Sequence, residues 1–444
     1  MRRSRPKLAL VVPRTPLIAH RPALQRLWRS NERFRTSSFF FPLPNLGLLT
    51  LAALAGDEFE VSYHDENVAP LPSGERFDLA ALTSMTCQAP RAYALARRFR
   101  AAGAHTVLGG IHPTVLTEEA LAHADTVVAG EAETAWPRFL RDFVAGRPRP
   151  LYRADGWCDL SRQPVPRYDL IPAGAYRAVP LQVGRGCSLG CEFCSVDAVH
   201  GTRYRHKTLE QVRAEVAAIR AISRAPRPRI FFTDDNLHLH RPFLGELLEA
   251  VAPLKINWMA QMDAAAAKDA GLLRFMARSG CTQLLVGFES LNPANIALIQ
   301  ERGPKRTLSG EYGEIVRAIQ SHGIRVLGMF IVGLDEDRPQ VFRQLRDFIA
   351  ATRMHDAQIT IQTPLPGTAL RRRLERAGRL RDDGGDWSRY TFFDVLFEPR
   401  GLTRAQILRG QTRLYREIHA PAAVAARQRH WLELFRERAA GRPQ

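Results

Sequence analysis

The sequence predicts an α/β protein of two successive domains. The first is an open, doubly wound parallel sheet over residues 1–140, and the second a partial parallel barrel of six strand–helix units over residues 179–380. A linker at 141–178 joins them, and a helical C-terminal region fills 381–444. Three observations carry this. At 444 residues the chain exceeds what one hydrophobic core ordinarily serves. Short apolar runs alternate with helical patterns, which implies parallel strands joined by crossovers. Between the two alternating series, residues 141–178 are rich in Pro, Arg and Gly without periodicity.

In the first series KLALVVP reads as a strand, NLGLLTLAALAG as a helix and FEVSYHDEN as a strand. DLAALTSMT is a strand running into a loop, followed by the helix APRAYALARRFRAAG. HTVLGGIHP is again a strand into a loop, then TEEALAHA a helix and DTVVAGEAE a strand. Such Rossmann-like sheets bind ligands beyond the carboxyl ends of their strands, here the loops PRTP, DENV, TSMTCQAP, GGIHPT and GEAE. In the second series the strands are VPLQVGRG, RIFFTDD, INWMAQM, QLLVGFES, RVLGMFIVG and AQITIQTP, separated by helices such as TLEQVRAEVAAIRAI and AGLLRFMARSG. Six tandem units make a TIM-type (β/α)6 partial barrel, with chemistry expected at the strands' carboxyl ends. No internal repeat or low-complexity tract interrupts either series.

Composition narrows the class. With 45% hydrophobic and 24% charged residues the chain reads as a soluble globular protein. The first apolar run, LALVV, stops at Pro13, too short for a signal peptide, and no later stretch reaches the ~20 apolar residues of a membrane span. A cytoplasmic location is expected, with the six cysteines as reduced thiols. The net charge of +18 is nearly all arginine, in a chain also rich in alanine, which suits a GC-rich genome. No stretch interleaves basic and aromatic residues, so no nucleic-acid partner is expected. An anionic membrane surface or acidic substrate stays open.

Three of the six cysteines, Cys187, Cys191 and Cys194, fall in the stretch GCSLGCEFCSV, directly after the first barrel strand. Structural zinc normally takes four protein ligands, and no second cysteine pair exists; His200 and His206 are the only nearby candidates. A [4Fe–4S] cluster on three cysteines leaves one iron open to a small molecule, a chemical reason for the odd count.

This C-x3-C-x2-C, with the aromatic Phe193 before its last cysteine, resembles the signature of the radical S-adenosylmethionine (SAM) enzymes. The resemblance implies that the open iron binds the amino and carboxylate groups of SAM. One electron then cleaves SAM to methionine and a 5′-deoxyadenosyl radical that abstracts hydrogen from carbon. FFTDDN resembles the family's acidic stretch near the SAM amino group, with Asp234 and Asp235 as candidates. GFES places Glu289 or Ser290 toward the SAM ribose or carboxylate. GMFIVGLDED, with Gly328 and Gly333, is similar to the stretch that meets adenine, although Phe330 and Asp335/Glu336 make the match loose. TPLPGTAL closes the barrel as in the same family. Read alone, an aspartate pair at a strand end is a helix cap and the glycines mark close backbone approach; their order after the cysteine motif gives them weight.

The first domain resembles the cobalamin-binding subgroup, class B-type radical SAM methyltransferases and cyclases, so the resemblance covers essentially the whole chain. It implies that cobalamin is cradled by Thr83, Ser84, Met85 and Thr86 and by the Gly109–Thr114 stretch, including Gly110 and His112. None of the thirteen histidines has glycine three positions later, so the D-x-H-x-x-G motif of many cobalamin proteins is absent. The lone Cys87 on a binding loop reads as a small buried hydrophobe.

Together these imply methylation of an unactivated carbon of a small-molecule or lipid substrate. The 5′-deoxyadenosyl radical would open the substrate and methylcobalamin would supply the methyl group, with an external flavodoxin- or ferredoxin-type electron donor. The alternatives are an oxidative cyclase or rearrangement enzyme, or a member that has lost cobalamin. The motif order is somewhat similar to the hopanoid-methylating branch, which points to a lipid. In the tail, Val424, Trp431, Leu434 and Phe435 are expected to form an apolar stripe beside arginines. It suits either peripheral membrane contact or a helix capping the barrel.

Overall fold

The computed structural model describes residues 5–37, 42–172, 174–300, 303–381 and 385–439; the outermost ends of the first expected domain and of the tail lie outside them. The first sheet has six parallel strands: β1 (Lys7–Val12), β2 (Glu60–Asp65), β3 (Leu79–Thr83), β4 (His105–Gly109), β5 (Thr126–Ala129) and β6 (Leu151–Arg153). Their order is β2-β1-β3-β4-β5-β6, so the winding reverses between β1 and β3 and opens a crevice beyond the carboxyl ends. Leu8 and Leu10 face one hydrophobic cluster and Ala9 and Val11 another, as the pleat requires of a sheet covered on both faces.

Two departures concern the unpatterned stretches. Leu151–Arg153 lies in the segment read as a linker, yet pairs with β5 from Val127↔Leu151 to Ala129↔Arg153. A three-residue strand has too few alternations to register as a period. Its Tyr152 is buried edge-on against Phe139 at 5.5 Å. Residues 22–35, assigned to no element, form two helices (Pro22–Ser30 and Glu32–Arg35) that cross to the C-terminal region. There the buried Arg21 donates to Gln411 Oε1 at 2.7 Å and Thr412 Oγ1 at 3.0 Å.

The stretch VPLQVGRG is not one strand. β7 (Val179–Leu181) joins the second sheet, while β8 (Gly184–Arg185) pairs antiparallel with β9 (Arg205–His206), tying the base of the cysteine loop. The sheet continues with β10 (Arg229–Phe232), β11 (Asn257–Met262), β12 (Cys281–Glu289), β13 (Arg325–Val332) and β14 (Asp356–Ile361), in the order β14-β13-β12-β11-β10-β7. Every strand lies beside its predecessor in this sheet, so the sheet winds one way into a partial barrel.

The C-terminal helix Arg404–Ile418 covers the β14 edge. Gln411 Nε2 donates to Ile359 O at 2.7 Å, and Tyr415 Oη accepts from Ile359 N and donates to Ile359 O, both at 2.9 Å. These bonds satisfy backbone groups that an open edge leaves unpaired. The last helix, Pro421–Ala439, runs past the opposite, amino-terminal ends of the strands. Trp431 sits 5.3 Å beneath the Arg325 guanidinium and 6.5 Å from the His355 ring. Val424, Trp431 and Leu434 are half-buried, and Phe435 and Leu432 are exposed. Of the expected stripe, Trp431 is thus committed to the base of the barrel, while Phe435 is exposed.

Candidate active site

The cysteine loop is held from four directions. At its root, Gly186 has φ +99°, and a Cβ there would lie 2.2 Å from Arg203 O, so only glycine fits. Its N–H donates to Asp235 Oδ2 at 2.8 Å, and Cys187 N–H donates to Gly201 O at 3.1 Å. Beyond β12, Gln300 Nε2 reaches Cys191 Sγ at 3.4 Å and Glu192 N–H donates to Ile299 O at 3.0 Å. Beyond β13, Phe193 packs on Ile296, Ile299, Ile331 and Leu334. Beyond β14, Leu370 N–H donates to Glu192 O at 2.8 Å. Arg373 pairs with both Glu192 (2.8 Å) and Asp335 (2.8 Å). A loop fixed by this many independent strand ends holds its thiols in a set arrangement before any metal binds.

The thiols are half-buried. Burial raises all three above the usual thiol range, Cys194 to about 12, while the Lys305 ammonium opposes the rise at Cys187 and Cys191. Metal ligation by these thiols would therefore require them to lose protons. Among the described residues, no three Cys, His, Asp or Glu side chains converge as ligands of a single metal ion. Thiols spread along a loop suit a cluster in which each sulfur takes a different iron, so the donor set fits a [4Fe–4S] cluster with one iron lacking a protein ligand.

The acidic candidates take distinct places. Asp234 is fully buried; it accepts from Val183 N–H at 3.1 Å and from Tyr204 Oη at 3.2 Å, and burial lifts its carboxyl to about 7. Asp235 receives Gly186 N–H and His200 Nδ1, the latter at 3.0 Å. Both therefore brace the root of the cysteine loop. Glu289 ends β12 in the left-handed region at φ +61°, where the β12–β13 register slips, and pairs with the buried Lys305. Ser290 is buried, with Asn295 Nδ2 at 3.3 Å from its Oγ; Asn295 also donates to Asp337 at 2.8 Å. Asp337 in turn accepts Gly333 N–H at 2.8 Å, and burial raises its carboxyl to about 6. Ser290 and Gly333 thus belong to one stitched pair of loops beyond β12 and β13. Nothing in the sequence marks Lys305, Gln300 or Arg373 as a site residue; Lys305 and Gln300 lie outside the motif stretches, and Arg373 only follows the TPLPGTAL stretch without a motif role.

A second feature lies where the first sheet meets the barrel. A largely apolar cavity opens beyond the carboxyl ends of β3, β4 and β5, walled by Thr83, Gly109, Gly110, Gly130, the helix Leu46–Ala55 and Trp136. Its far wall comes from the barrel: Arg185, Val199 and His200. Gly110 has φ +97°, and a Cβ there would meet Thr83 Oγ1 at 2.8 Å and Ser84 N at 2.9 Å, so the ends of β3 and β4 close together as bare backbone. At the ends of β3 and β4 the wall is backbone and small side chains, which would let a flat macrocycle such as a corrin approach closely. Thr83, Gly109 and Gly110 line the cavity as expected, whereas Ser84, Met85, Thr86 and His112 do not. Ser84 and Thr86 are buried, and Met85 is exposed. His112 is fully buried with its Nε2 2.9 Å from Tyr93 Oη and its ring 5.3 Å from Trp387, and burial lowers its basicity. The helix Ile111–Val115 turns this imidazole into the fold, away from the cavity.

The sheet and the barrel are joined at the cavity rim by Glu131 and Glu133 of the GEAE loop, Arg185 and Arg205. Arg185 reaches Glu133 at 2.7 Å and Glu131 at 3.4 Å. Burial alone would raise Glu131, but the Arg205 hydrogen bonds and the Arg185 charge hold its carboxyl down at about 2.

Comparison with known proteins agrees with this arrangement. Residues 181–349 match the radical SAM superfamily and residues 33–140 the B12 binding domain. A bacteriochlorophyllide d C-12(1)-methyltransferase of Chlorobaculum tepidum is 30% identical over 389 residues, 86% of this chain and 84% of that protein. The hopanoid C-2 methylase of Rhodopseudomonas palustris is 27% identical over 385 residues, 82% of this chain and 72% of that protein. In fold, the radical SAM methyltransferase TsrM from Kitasatospora setae, solved with cobalamin and a [4Fe–4S] cluster, superposes with a TM-score of 0.61 at 16% identity, covering 93% of this chain and 85% of that one.

Proposed function

The chain belongs to the radical SAM enzymes that carry a B12-binding domain, and on that premise we propose that it transfers a methyl group to an unactivated carbon of a hydrophobic small molecule. The cofactors of such an enzyme are a [4Fe–4S] cluster, SAM and cobalamin, which when bound supply hydrogen abstraction and the methyl group. One observation carries the reading. The segment from Arg185 to His200 holds the three cysteines and also forms the far wall of the glycine-lined cavity, so one short piece of chain would serve both cofactor sites.

The residues divide the work. Cys187, Cys191 and Cys194 would hold the cluster. Phe193, with Ile296, Ile299, Ile331 and Leu334, supplies an apolar surface beside it that excludes water from a reactive centre. Glu289, Ser290 and Gly333, on the loops beyond β12 and β13, would receive SAM, and Asp234 and Asp235 keep the cysteine loop in place. Thr83, Gly109 and Gly110 would bear on cobalamin. A tetrapyrrole or a polycyclic lipid is the substrate class that the named relatives suggest. An external one-electron donor of flavodoxin or ferredoxin type completes the requirement. No helix among the described residues is long and apolar enough to cross a membrane, and the exposed Leu432 and Phe435 offer at most a peripheral contact.

The test is anaerobic reconstitution with iron, sulfide and hydroxocobalamin, followed by metal analysis and product mass spectrometry on tetrapyrrole and hopanoid substrates. About four irons and one cobalt per chain, with iron lost in Cys187→Ala and a product heavier by one methylene unit, is the expected result. A product that gains a ring without a methyl would replace methyl transfer by cyclisation. Zinc in place of iron would overturn the reading.

A further inference from the structure

A groove lies between the starts of helices Pro22–Ser30 and Val341–Thr352 and the flank of helix Arg404–Ile418. None of its lining residues also lines the cavity beyond β3–β5. Its floor is apolar, built from Pro22, Ala23, Pro339, Phe342 and Leu408. Gly410 lets that floor close: a Cβ there would lie 2.3 Å from Phe342 Cε2, so the two helices touch without a side chain between them. The rim is Arg409, Arg413 and Arg416, exposed and spaced along one helix face. Among the described residues no Asp or Glu lines the groove. Arg409 and Arg416 have no carboxylate partner there, and Arg413 reaches only Glu417, at 3.9 Å. Arg21, beneath the rim, already donates to Gln411, Thr412 and Leu408 O. The basic surface continues onto helix Pro22–Ser30, which runs alongside: Arg21 meets Leu408, and Asn31 Nδ2 donates to His419 O at 3.0 Å. The exposed positions of that helix include Arg26, Trp28 and Arg29.

Arginines over an apolar floor, with no acid to neutralise them, complement an amphiphile with an anionic head. A free phosphate would use the arginines and leave the floor bare. We propose that this face docks the chain on an anionic membrane. Lipid headgroup phosphates meet Arg409, Arg413 and Arg416, and acyl carbons lie against Phe342 and Leu408. Trp28, 39% exposed, takes the headgroup level where amphipathic rings sit. Docking here brings the chain to the bilayer in which a hydrophobic substrate dissolves. The docking itself does not rest on the two-cofactor reading.

The test is co-sedimentation of the full, reconstituted chain with phosphatidylcholine vesicles, with and without phosphatidylglycerol. Iron and cobalt are measured on the same samples, so loss of cofactors and loss of docking are read separately. Binding that needs phosphatidylglycerol and weakens at high salt is the expected result. The variant Arg409→Gln/Arg413→Gln/Arg416→Gln should bind about a hundredfold less tightly, at about fivefold per charge removed. A control, Arg97→Gln/Arg224→Gln/Arg274→Gln, removes the same charge from exposed positions on other elements and should bind like the parent. Equal weakening in both variants overturns the proposal, because net charge alone would then explain the binding. Release by soluble glycerol phosphate at matched phosphate concentration overturns the lipid in favour of a free phosphate. No binding to phosphatidylglycerol vesicles, with or without an arginine-dependent complex with a flavodoxin, overturns the membrane as partner of this face.

Discussion

Arg205 and Glu131, 74 positions apart, meet in a two-pronged ion pair between the barrel and the first sheet. Nη2 donates to Oε1 at 2.8 Å and Nη1 donates to Oε2 at 2.9 Å. Cys158 N–H adds a third bond to Glu131 at 2.6 Å, and the carboxylate is buried. Parallel double bonds of this kind fix orientation as well as distance. The pair therefore sets how the cavity beyond β3–β5 faces the cysteine loop.

Glu131→Gln should cost about 3 kcal/mol, because it leaves Arg185 and Arg205 short of charge in a buried place. The pH dependence has a definite sign. The folded carboxyl lies at about 2 against an ordinary 4.5, so its stabilisation is present above pH 4.5 and lost as pH falls toward 2. Urea unfolding across that range should show the loss in the parent protein and not in the variant; equal slopes would contradict the latch.

Asp234 predicts the opposite slope. Its folded carboxyl lies at about 7 against an ordinary 3.8, so between these values the folded state keeps a proton that the unfolded state releases. Stability from this group is present at the acid end and falls as pH rises toward 7. Asp234→Asn, neutral throughout, should remove that part of the slope when unfolding midpoints are compared from pH 4 to 8.

Gly110→Ala forces a side chain into the left-handed region and against Thr83 and Ser84. The strain is about 1–3 kcal/mol. It falls on the cavity and not on the cysteine loop, so reconstituted protein should lose cobalt while keeping its iron. Parallel loss of both metals would show that Gly110 serves folding in general.

Lys305→Met strands the Glu289 carboxylate, buried at the end of β12. A loss of about 3–5 kcal/mol is expected. The double variant Lys305→Met/Glu289→Gln should recover much of it, because it removes the unpaired charge. A calorimetric double-mutant cycle checks the coupling.

The alternating runs KLALVVP, DLAALTSMT and QLLVGFES read correctly as strands because a covered parallel strand is a continuous apolar run in the sequence itself. The spacing of Cys187, Cys191 and Cys194 was equally legible, since residues that share one loop are neighbours in the chain. β6 and the helices at 22–35 were not read: three residues carry no period, and the helices bury their faces against a tail almost 400 positions away. His112 sat in a motif stretch that suited a cofactor, yet the turn after Gly110 directs it inward.

The sequence by itself thus determined the fold class, the order of the two domains and the spacing of the three cysteines proposed to hold the cluster, because those depend on local period and local spacing. Tertiary structure alone decided that Glu131 meets Arg205, that Lys305 meets Glu289, and that His200, passed over except as a spare zinc ligand, faces the cavity. Those pairings join residues from different strand ends. Only the closing of the barrel against the first sheet brings them within bonding distance.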